Sequence, residues 1–325
     1  MSNATKAKNK SLVQQGSTER WGISISNTKI EGVIIDTSQS QKALCRLQLP
    51  VEFFHTYDHL RGYDHILSQV QLLIAQLERA SEKNRPEKIG ISTPGVINPS
   101  TGILENSNIL CLNGHPIGSD LSALLHMHVL LANDANCFTL AEATLGAARD
   151  YKVVMGVVLE TGVGAGIVVN HYLVEGLHGI AGEWGHNTMR GQKALCRCGK
   201  KGCSEMVFSE PAVQHFYEKK TGQEVSLSEI VKRAEAGESS AVKTLEHLQK
   251  NFAKAIAVPI NVLDPEVIVM GGRVSAIDLL YTKATRDKIL RYIFNKEFKT
   301  KFLKPALGDS ACAFGAAMLS SKPQD

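Results

Sequence analysis

The sequence lacks any stretch approaching the roughly 20 uninterrupted apolar residues that a membrane helix needs, so no membrane span is expected. Its first 20 residues are polar and contain no apolar h-region, which argues against a secretory leader. No internal repeat is visible. Nor is there a basic face. The formal net charge of +4 is concentrated at one end, where Lys6, Lys8, Lys10 and Arg20 stand against Glu19 and make residues 1–20 +3 on their own. The remainder is close to neutral, so neither a nucleic-acid partner nor an acidic surface is indicated. Residues 1–20 read as a disordered, solvated tail. The seven cysteines are odd in number and three fall within residues 196–203, which suits metal binding in a reducing compartment better than a disulfide framework. Cytoplasm is the expected location.

At 325 residues the chain exceeds the roughly 250–300 at which single cores stop growing, so two lobes are expected. Strands are predicted over Trp21–Ser26, Glu31–Asp36, Lys88–Ser92, His128–Ala132, Val153–Leu159, Ile167–Asn170 and Val267–Met270. Residues Asp64–Asn84 carry Ile66, Leu67, Val70, Leu73, Ile74 and Leu77 at helical spacing. A short helix is predicted over Leu121–His126, and another is capped by Asn133–Asn136 and runs to about Ala148. A glycine-rich turn is expected over Thr161–Gly166, and the later part of the chain is expected to be mainly helical. Strands alternating with helices indicate an α/β fold.

Two groups of residues carry chemistry. His186 is followed by Cys196-Arg-Cys198-Gly-Lys-Lys-Gly-Cys203. Three thiolates and an imidazole are the donors tetrahedral zinc prefers, and four protein ligands make the role structural. The competing reading is three unrelated buried thiols; their closeness and their Lys and Arg neighbours speak against it. Asp134 stands where a strand gives way to a helix, at the carboxyl end where α/β folds bind ligands. It can accept a hydroxyl proton during phosphoryl transfer, or it can simply cap the helix. Glu183, within the glycine-rich run Gly179–His186, and Glu205 add carboxylates, while Asn108 and Asn133 can both donate and accept.

These motifs occur in one order: Leu130-Leu-Ala-Asn-Asp-Ala-Asn136, Thr161-Gly-Val-Gly-Ala-Gly166, Ala181-Gly-Glu-Trp-Gly-His186 and Cys196-Arg-Cys-Gly-Lys-Lys-Gly-Cys203-Ser-Glu205. In that order they resemble the ROK family (repressors, open reading frames and kinases) from residue 21 to about 320. Within it, Leu112–Pro116, Asp120–Ala123 and the run ending at Asn187 are most similar to bacterial fructokinases, then to N-acetylglucosamine kinases. The resemblance implies a two-lobed actin/hexokinase-like (ribonuclease H-like) α/β fold with a zinc-binding loop. The N-terminal lobe would comprise residues 21–132 and 311–325, and the C-terminal lobe 133–310. Asp134 would be the catalytic base, and Gly95, Asn108, Asn133, Glu183, His186 and Glu205 would surround a hexose. His186 would serve zinc with one ring nitrogen and the sugar with the other. ATP with magnesium would lie along Thr28, Lys29, Thr161, Gly162, Gly164, Gly271 and Gly272, and the assembly would be a homodimer or dimer of dimers.

Departures from the family pattern fall on the nucleotide side. The first phosphate loop of the family, Asp-x-Gly-Gly-Thr-Lys, is here Ser24-Ile-Ser26-Asn27-Thr28-Lys29; Glu160 replaces a glycine before Thr161, and Arg273 replaces the third glycine after Gly271-Gly272. Lost glycines put Cβ atoms where backbone would approach phosphate. Two functions therefore compete: an ATP-dependent sugar kinase acting on fructose first and N-acetylglucosamine or glucose next, and a catalytically impaired protein that senses sugar. A DNA-binding repressor is a poor third, since about 20 polar residues ahead of the first strand cannot form a helix-turn-helix domain.

Overall fold

The computed structural model describes residues 18–38, 42–51 and 59–321. In chain order the first part comprises β1 (Glu19–Ile25), β2 (Lys29–Asp36), β3 (Ala43–Pro50), α1 (His59–Ser81), β4 (Lys88–Thr93), β5 (Val96–Ile97), β6 (Leu104–Glu105), α2 (Ile117–Leu125), β7 (His128–Asn133) and α3 (Asp134–Thr144). The second comprises β8 (Val153–Leu159), β9 (Val163–Val169), β10 (Tyr172–Leu173), α4 (Glu205–Phe208), α5 (Glu210–Thr221), α6 (Leu227–Glu235), α7 (Ser239–Leu263), β11 (Val267–Gly271), α8 (Lys283–Leu290), β12 (Lys301–Leu303) and α9 (Ala311–Leu319).

Two five-stranded sheets follow one plan. The first runs β3-β2-β1-β4-β7 and the second β10-β9-β8-β11-β12, each an antiparallel meander continued by two parallel strands. The chain thus repeats an architecture that its residues do not repeat. Helices α3 and α9 pack against each other between the sheets, where Phe138, Ala141, Ala313 and Phe314 meet Val33 and Ile35 of the first sheet and Val154 and Val168 of the second. The predicted apolar stripe of α1 (Ile66, Val70, Leu73, Ile74, Leu77) is buried on the first sheet with Ile23, Ile30 and Ile91. Trp184, Phe208, Phe252 and Ile256 form the core between the second sheet and α4–α8. No helix among the described residues is long and apolar enough to cross a membrane.

Several expectations need correction. The predicted tail, 1–20, lies mostly outside the described residues, but its last two belong to β1, because Glu19 and Arg20 pair with Asp36 and Ile35 across the hairpin. β3 was not predicted; it is an edge strand whose side chains alternate between half-buried and exposed, leaving only a weak apolar signal. α3 stops at Thr144 rather than Ala148, where the buried Glu142 carboxylate takes the backbone N–H of Ala147 and of Ala306 and Leu307 beyond. The glycine-rich turn is shorter than expected: only Glu160–Gly162 turns, and Gly164 and Gly166 lie within β9. A Cβ at 164 would stand 2.9 Å from that of Ala135, so close packing on α3 explains this glycine.

Candidate active site and metal centre

Parallel strands end where crossovers leave a crevice, and both sheets turn that edge toward the same region. β7 ends at Asn133, and the side chain of this residue caps α3: its Oδ1 accepts from Ala135 N at 2.8 Å while its Nδ2 donates to the Gly95 carbonyl at 2.8 Å. Asn133 therefore takes the capping duty and ties the two loops together. Asp134 is the first residue of α3 and gives Oδ1 to the same Ala135 N–H at 2.7 Å. Burial pushes the Asp134 carboxyl up to about 6; the hydrogen bond from Ala135 opposes that shift, the nearby Glu183 adds to it and Arg197 opposes it.

Asn108 belongs to the segment between β6 and α2, and its Oδ1 is buried with no protein partner. An orphaned acceptor of this kind is what a ligand hydroxyl satisfies. Asn113, His115 and Asp120, from the runs Leu112–Pro116 and Asp120–Ala123, build and brace this segment. Asn113 Oδ1 accepts from Ser107 N at 2.7 Å and its Nδ2 donates to Ser107 O. Asp120 accepts from the Tyr63 hydroxyl at 2.6 Å, and the Tyr63 ring stacks on His115 at 3.9 Å.

The Gly179–His186 run lies on β9. Gly182 has φ +94°, and a Cβ there would collide with the Ala165 carbonyl, so only glycine lets the loop sit this close. Trp184 anchors it, donating from Nε1 to the Ala255 carbonyl at 3.1 Å and stacking on Phe208. Glu183 and His186 are held side by side, with His186 Nε2 3.6 Å from Glu183 Oε2. Burial raises the Glu183 carboxyl; His186 opposes this and Glu205 adds to it.

The other His186 nitrogen faces the cysteines. His186 Nδ1 is 3.6 Å from Cys196 Sγ, Cys198 and Cys203 are 3.6 Å apart at sulfur, and all four donor atoms lie within 4.8 Å of one another. A tetrahedral ion with metal–sulfur bonds of about 2.3 Å would separate its donors by about 3.8 Å, so the four residues fit a metal ion. None of the seven cysteines forms a disulfide. Burial pushes the Cys196 thiol up to about 12, a state that a bound cation would reverse.

Glu205 opens α4 and is nearly buried. Its Oε2 accepts from Val163 N at 3.0 Å, fixing the Glu160–Gly162 turn, while Oε1 faces Cys196 Sγ and lies 3.8 Å from Arg197 Nε. Arg197 was not singled out from the sequence. It stands between Cys196 and Cys198, and its Nη2 lies 3.8 Å from where a Cβ on Gly162 would sit. The cysteine loop thus brings a guanidinium near the carboxylates Asp134, Glu183 and Glu205, and its only sequence signal was its place between the cysteines.

Of the residues expected to meet a nucleotide, Thr28 and Lys29 lie on the β1–β2 hairpin, Thr161, Gly162 and Gly164 on the β8–β9 hairpin, and Gly271 and Gly272 at the end of β11. Ser26 closes the β1–β2 turn: its hydroxyl donates to Lys29 O at 2.8 Å and accepts from the N–H groups of Thr28 and Lys29. The Ser26, Thr28 and Lys29 amides are thus bonded within the turn. Asn27 is not in the left-handed region, so replacing glycine there strains nothing. Lys29 pairs at 2.7 Å with the buried Glu31, which also receives Arg46 and Ser310. Thr161 is exposed, and Gly272, with φ +86°, lies against the end of β8.

Residues 20–322 match the ROK family. The chain belongs to the ROK family. It is 33% identical over 314 residues to an N-acetyl-D-glucosamine kinase of Pasteurella multocida (strain Pm70), a match covering 92% of this chain and 98% of that protein. Among solved structures it is similar to a ROK hexokinase from Thermus thermophilus, with TM-score 0.78, 24% identity and coverage of 92% and 97%. It is also similar to a ROK family glucokinase from Streptomyces griseus in complex with glucose and AMPPNP, with TM-score 0.74, 22% identity and coverage of 93% and 98%. This ROK protein therefore has the two-sheet fold of ROK sugar kinases, the actin/hexokinase-like architecture expected from its motifs.

Proposed function

We propose that this ROK protein is an ATP-dependent kinase that phosphorylates a hydroxyl of a hexose, with N-acetylglucosamine ahead of fructose and glucose. The observation that carries the reading is Asp134. Asp134 shares the single Ala135 N–H with Asn133 and engages it through Oδ1 alone, so its second carboxylate oxygen can serve the strand end, and its value of about 6 suits a base working near neutrality. The order of sugars follows the N-acetylglucosamine kinase relative and replaces fructose as the first expectation; Asn113 of the run Leu112–Pro116 bonds the backbone of Ser107, next to Asn108.

In this reading Asn108 and the Gly95 loop hold the sugar from the first sheet, and Glu183 and His186 hold it from the second. Asp134 accepts the hydroxyl proton as the phosphoryl group arrives. Arg197 faces the charge that develops on the transferring oxygens. Ser24 offers no carboxylate to the magnesium that accompanies ATP, so that ion would ride on the triphosphate and its own water ligands. Zinc is the ion proposed for His186, Cys196, Cys198 and Cys203; it would fix the imidazole by Nδ1 and leave Nε2 for the cleft.

The test is ADP release by purified protein with N-acetylglucosamine, glucose and fructose in parallel. Release should be fastest with N-acetylglucosamine. Faster turnover of fructose or glucose would overturn the substrate order, and no release with any sugar would overturn the kinase. The pH profile gives a second measurement. With the folded-state value near 6, kcat/KM should fall about tenfold per unit below that pH as Asp134 takes up its proton, and level off above it. A flat profile between pH 5 and 8 would remove Asp134 as the base.

A sugar sensor without turnover is the second reading, favoured by the Ser26 hydroxyl on the amides of Thr28 and Lys29. Sugar binding with no nucleotide binding would support it.

A further inference from the structure

The two departures at the nucleotide end are bonded to each other. Glu160 is the first residue after β8, and Arg273 follows Gly271-Gly272 at the end of β11; the strands are parallel neighbours with Val158 opposite Gly271. Arg273 donates its backbone N–H to Glu160 Oε2 at 2.6 Å and its Nε–H to Oε1, a two-point attachment. Its Nη2 lies 2.8 Å from Oε2 of Glu210, the first residue of α5. The Glu210 N–H returns to the Glu160 carbonyl at 2.8 Å. The Glu210 side chain is only 10% exposed, and its buried Oε2 has no neutralising contact other than this guanidinium.

We infer that Glu160, Arg273 and Glu210 form an ionic latch that sets the affinity for the phosphoryl donor, the polyphosphate of a nucleotide displacing Arg273 from its two carboxylates. The inference rests on the kinase reading of the cleft. Three segments converge on the carboxyl ends of β8 and β11, where α/β sheets take their ligands. Contacts run from the latch toward Arg197: Glu160 opens the turn, Glu205 holds Val163 at its far side, and Arg197 faces Glu205. Two carboxylates against one guanidinium leave one net negative charge at that mouth, which repels an incoming polyphosphate. Yet a guanidinium held by carboxylates can pass to phosphate oxygens, because both accept its paired donors in the same geometry. Arg273 is 61% exposed, so the exchange needs no opening of the core.

A merely structural tie predicts something different. Neutralising either end of one ion pair would then alter stability in the same sense and leave nucleotide affinity alone. The latch predicts opposite signs. Glu160→Gln removes one repelling carboxylate and loosens Arg273, so magnesium–AMPPNP should bind about tenfold tighter. Arg273→Gln leaves both carboxylates facing the phosphates and should weaken binding by about tenfold or more. The measurement is calorimetric titration of magnesium–AMPPNP into wild type, both variants and Glu160→Gln/Glu210→Gln, each saturated with N-acetylglucosamine, whose own titration reports an intact fold. Opposite shifts support the latch. Equal shifts, or a Glu160→Gln change under twofold, overturn it while leaving the kinase reading in place. If wild type binds no nucleotide but the double variant does, the latch is supported and the natural protein is not a kinase. If none binds, both ideas fall.

Discussion

Asp134→Asn should lower turnover by about 10²–10⁴-fold, the range general-base catalysis contributes, while sugar affinity, read by calorimetry, changes far less. Asparagine can still hydrogen-bond the sugar hydroxyl and the Ala135 N–H, but it cannot take a proton. The same substitution should also stabilise the fold, and the sign can be worked out. Burial raises the Asp134 carboxyl from 3.8 to about 6 in the folded protein. Between those values the unfolded chain loses its proton first, so stability falls as pH rises through that window and stays reduced above it. The shift of about two units corresponds to at most roughly 3 kcal/mol. Asparagine removes that penalty, so Asp134→Asn should melt higher than wild type at pH 7–8 and equally near pH 4. A variant that keeps wild-type turnover would make Asp134 a packing residue. One that loses turnover and also melts lower at pH 8 would mean the carboxylate is stabilised rather than strained.

The motifs that brought Glu183, His186 and the cysteines into view were legible because each pairs a reactive side chain with a glycine or a thiol that has few other uses, whereas Asp134 was legible from its place where a strand gives way to a helix. The fold class was legible for a related reason: apolar runs such as Val153–Leu159 and Val267–Met270 are buried on both faces and read alike in any context. What escaped depends on contacts between distant segments. Edge strand β3 alternates between half-buried and exposed positions, which resembles an ordinary loop. Glu210 follows no motif and matters only because Arg273, more than 60 residues later, reaches it. Taken singly, Glu160 and Arg273 looked like damage to phosphate-binding loops; their direct bond was invisible without the pairing of β8 with β11. The extent of the glycine-rich turn was misread. Gly164 and Gly166 were expected in it but lie in β9, where they allow its close approach to α3. Capping was left open between neighbours, since Asn133 and Asp134 are both good caps; the two share the Ala135 N–H, and only Asn133 also bonds the Gly95 carbonyl after the adjacent strand β4.

Cys198→Ser should empty the metal site and lower both melting temperature and sugar affinity. Cys198 is the informative ligand because it is exposed, whereas Cys196 and Cys203 are buried. Serine at 198 disturbs little packing, so any large loss reports on the metal. Elemental analysis of wild type should find about one zinc per chain, and the variant should fall well below that. Structural zinc sites contribute on the order of 10 kcal/mol in the smallest domains. Even a third of that, at about 2–4 °C per kcal/mol for a chain of this class, lowers the melting point by roughly 10 °C. Sugar affinity should fall about tenfold, because His186 Nδ1 loses the ion that orients its ring and Nε2 no longer stays near Glu183. A chelator applied to wild type should reproduce each change, and zinc added back should reverse it, which separates the ion from misfolding of the variant. Arg197 supplies a further consequence, since it hangs between two of the ligands and faces Glu205. Metal loss should therefore reduce kcat more than Arg197→Lys does, as the variant keeps the loop and the charge and loses only the paired donors. Wild type that purifies without zinc and still melts, binds sugar and turns over normally would show that the three cysteines and His186 are neighbours without being ligands.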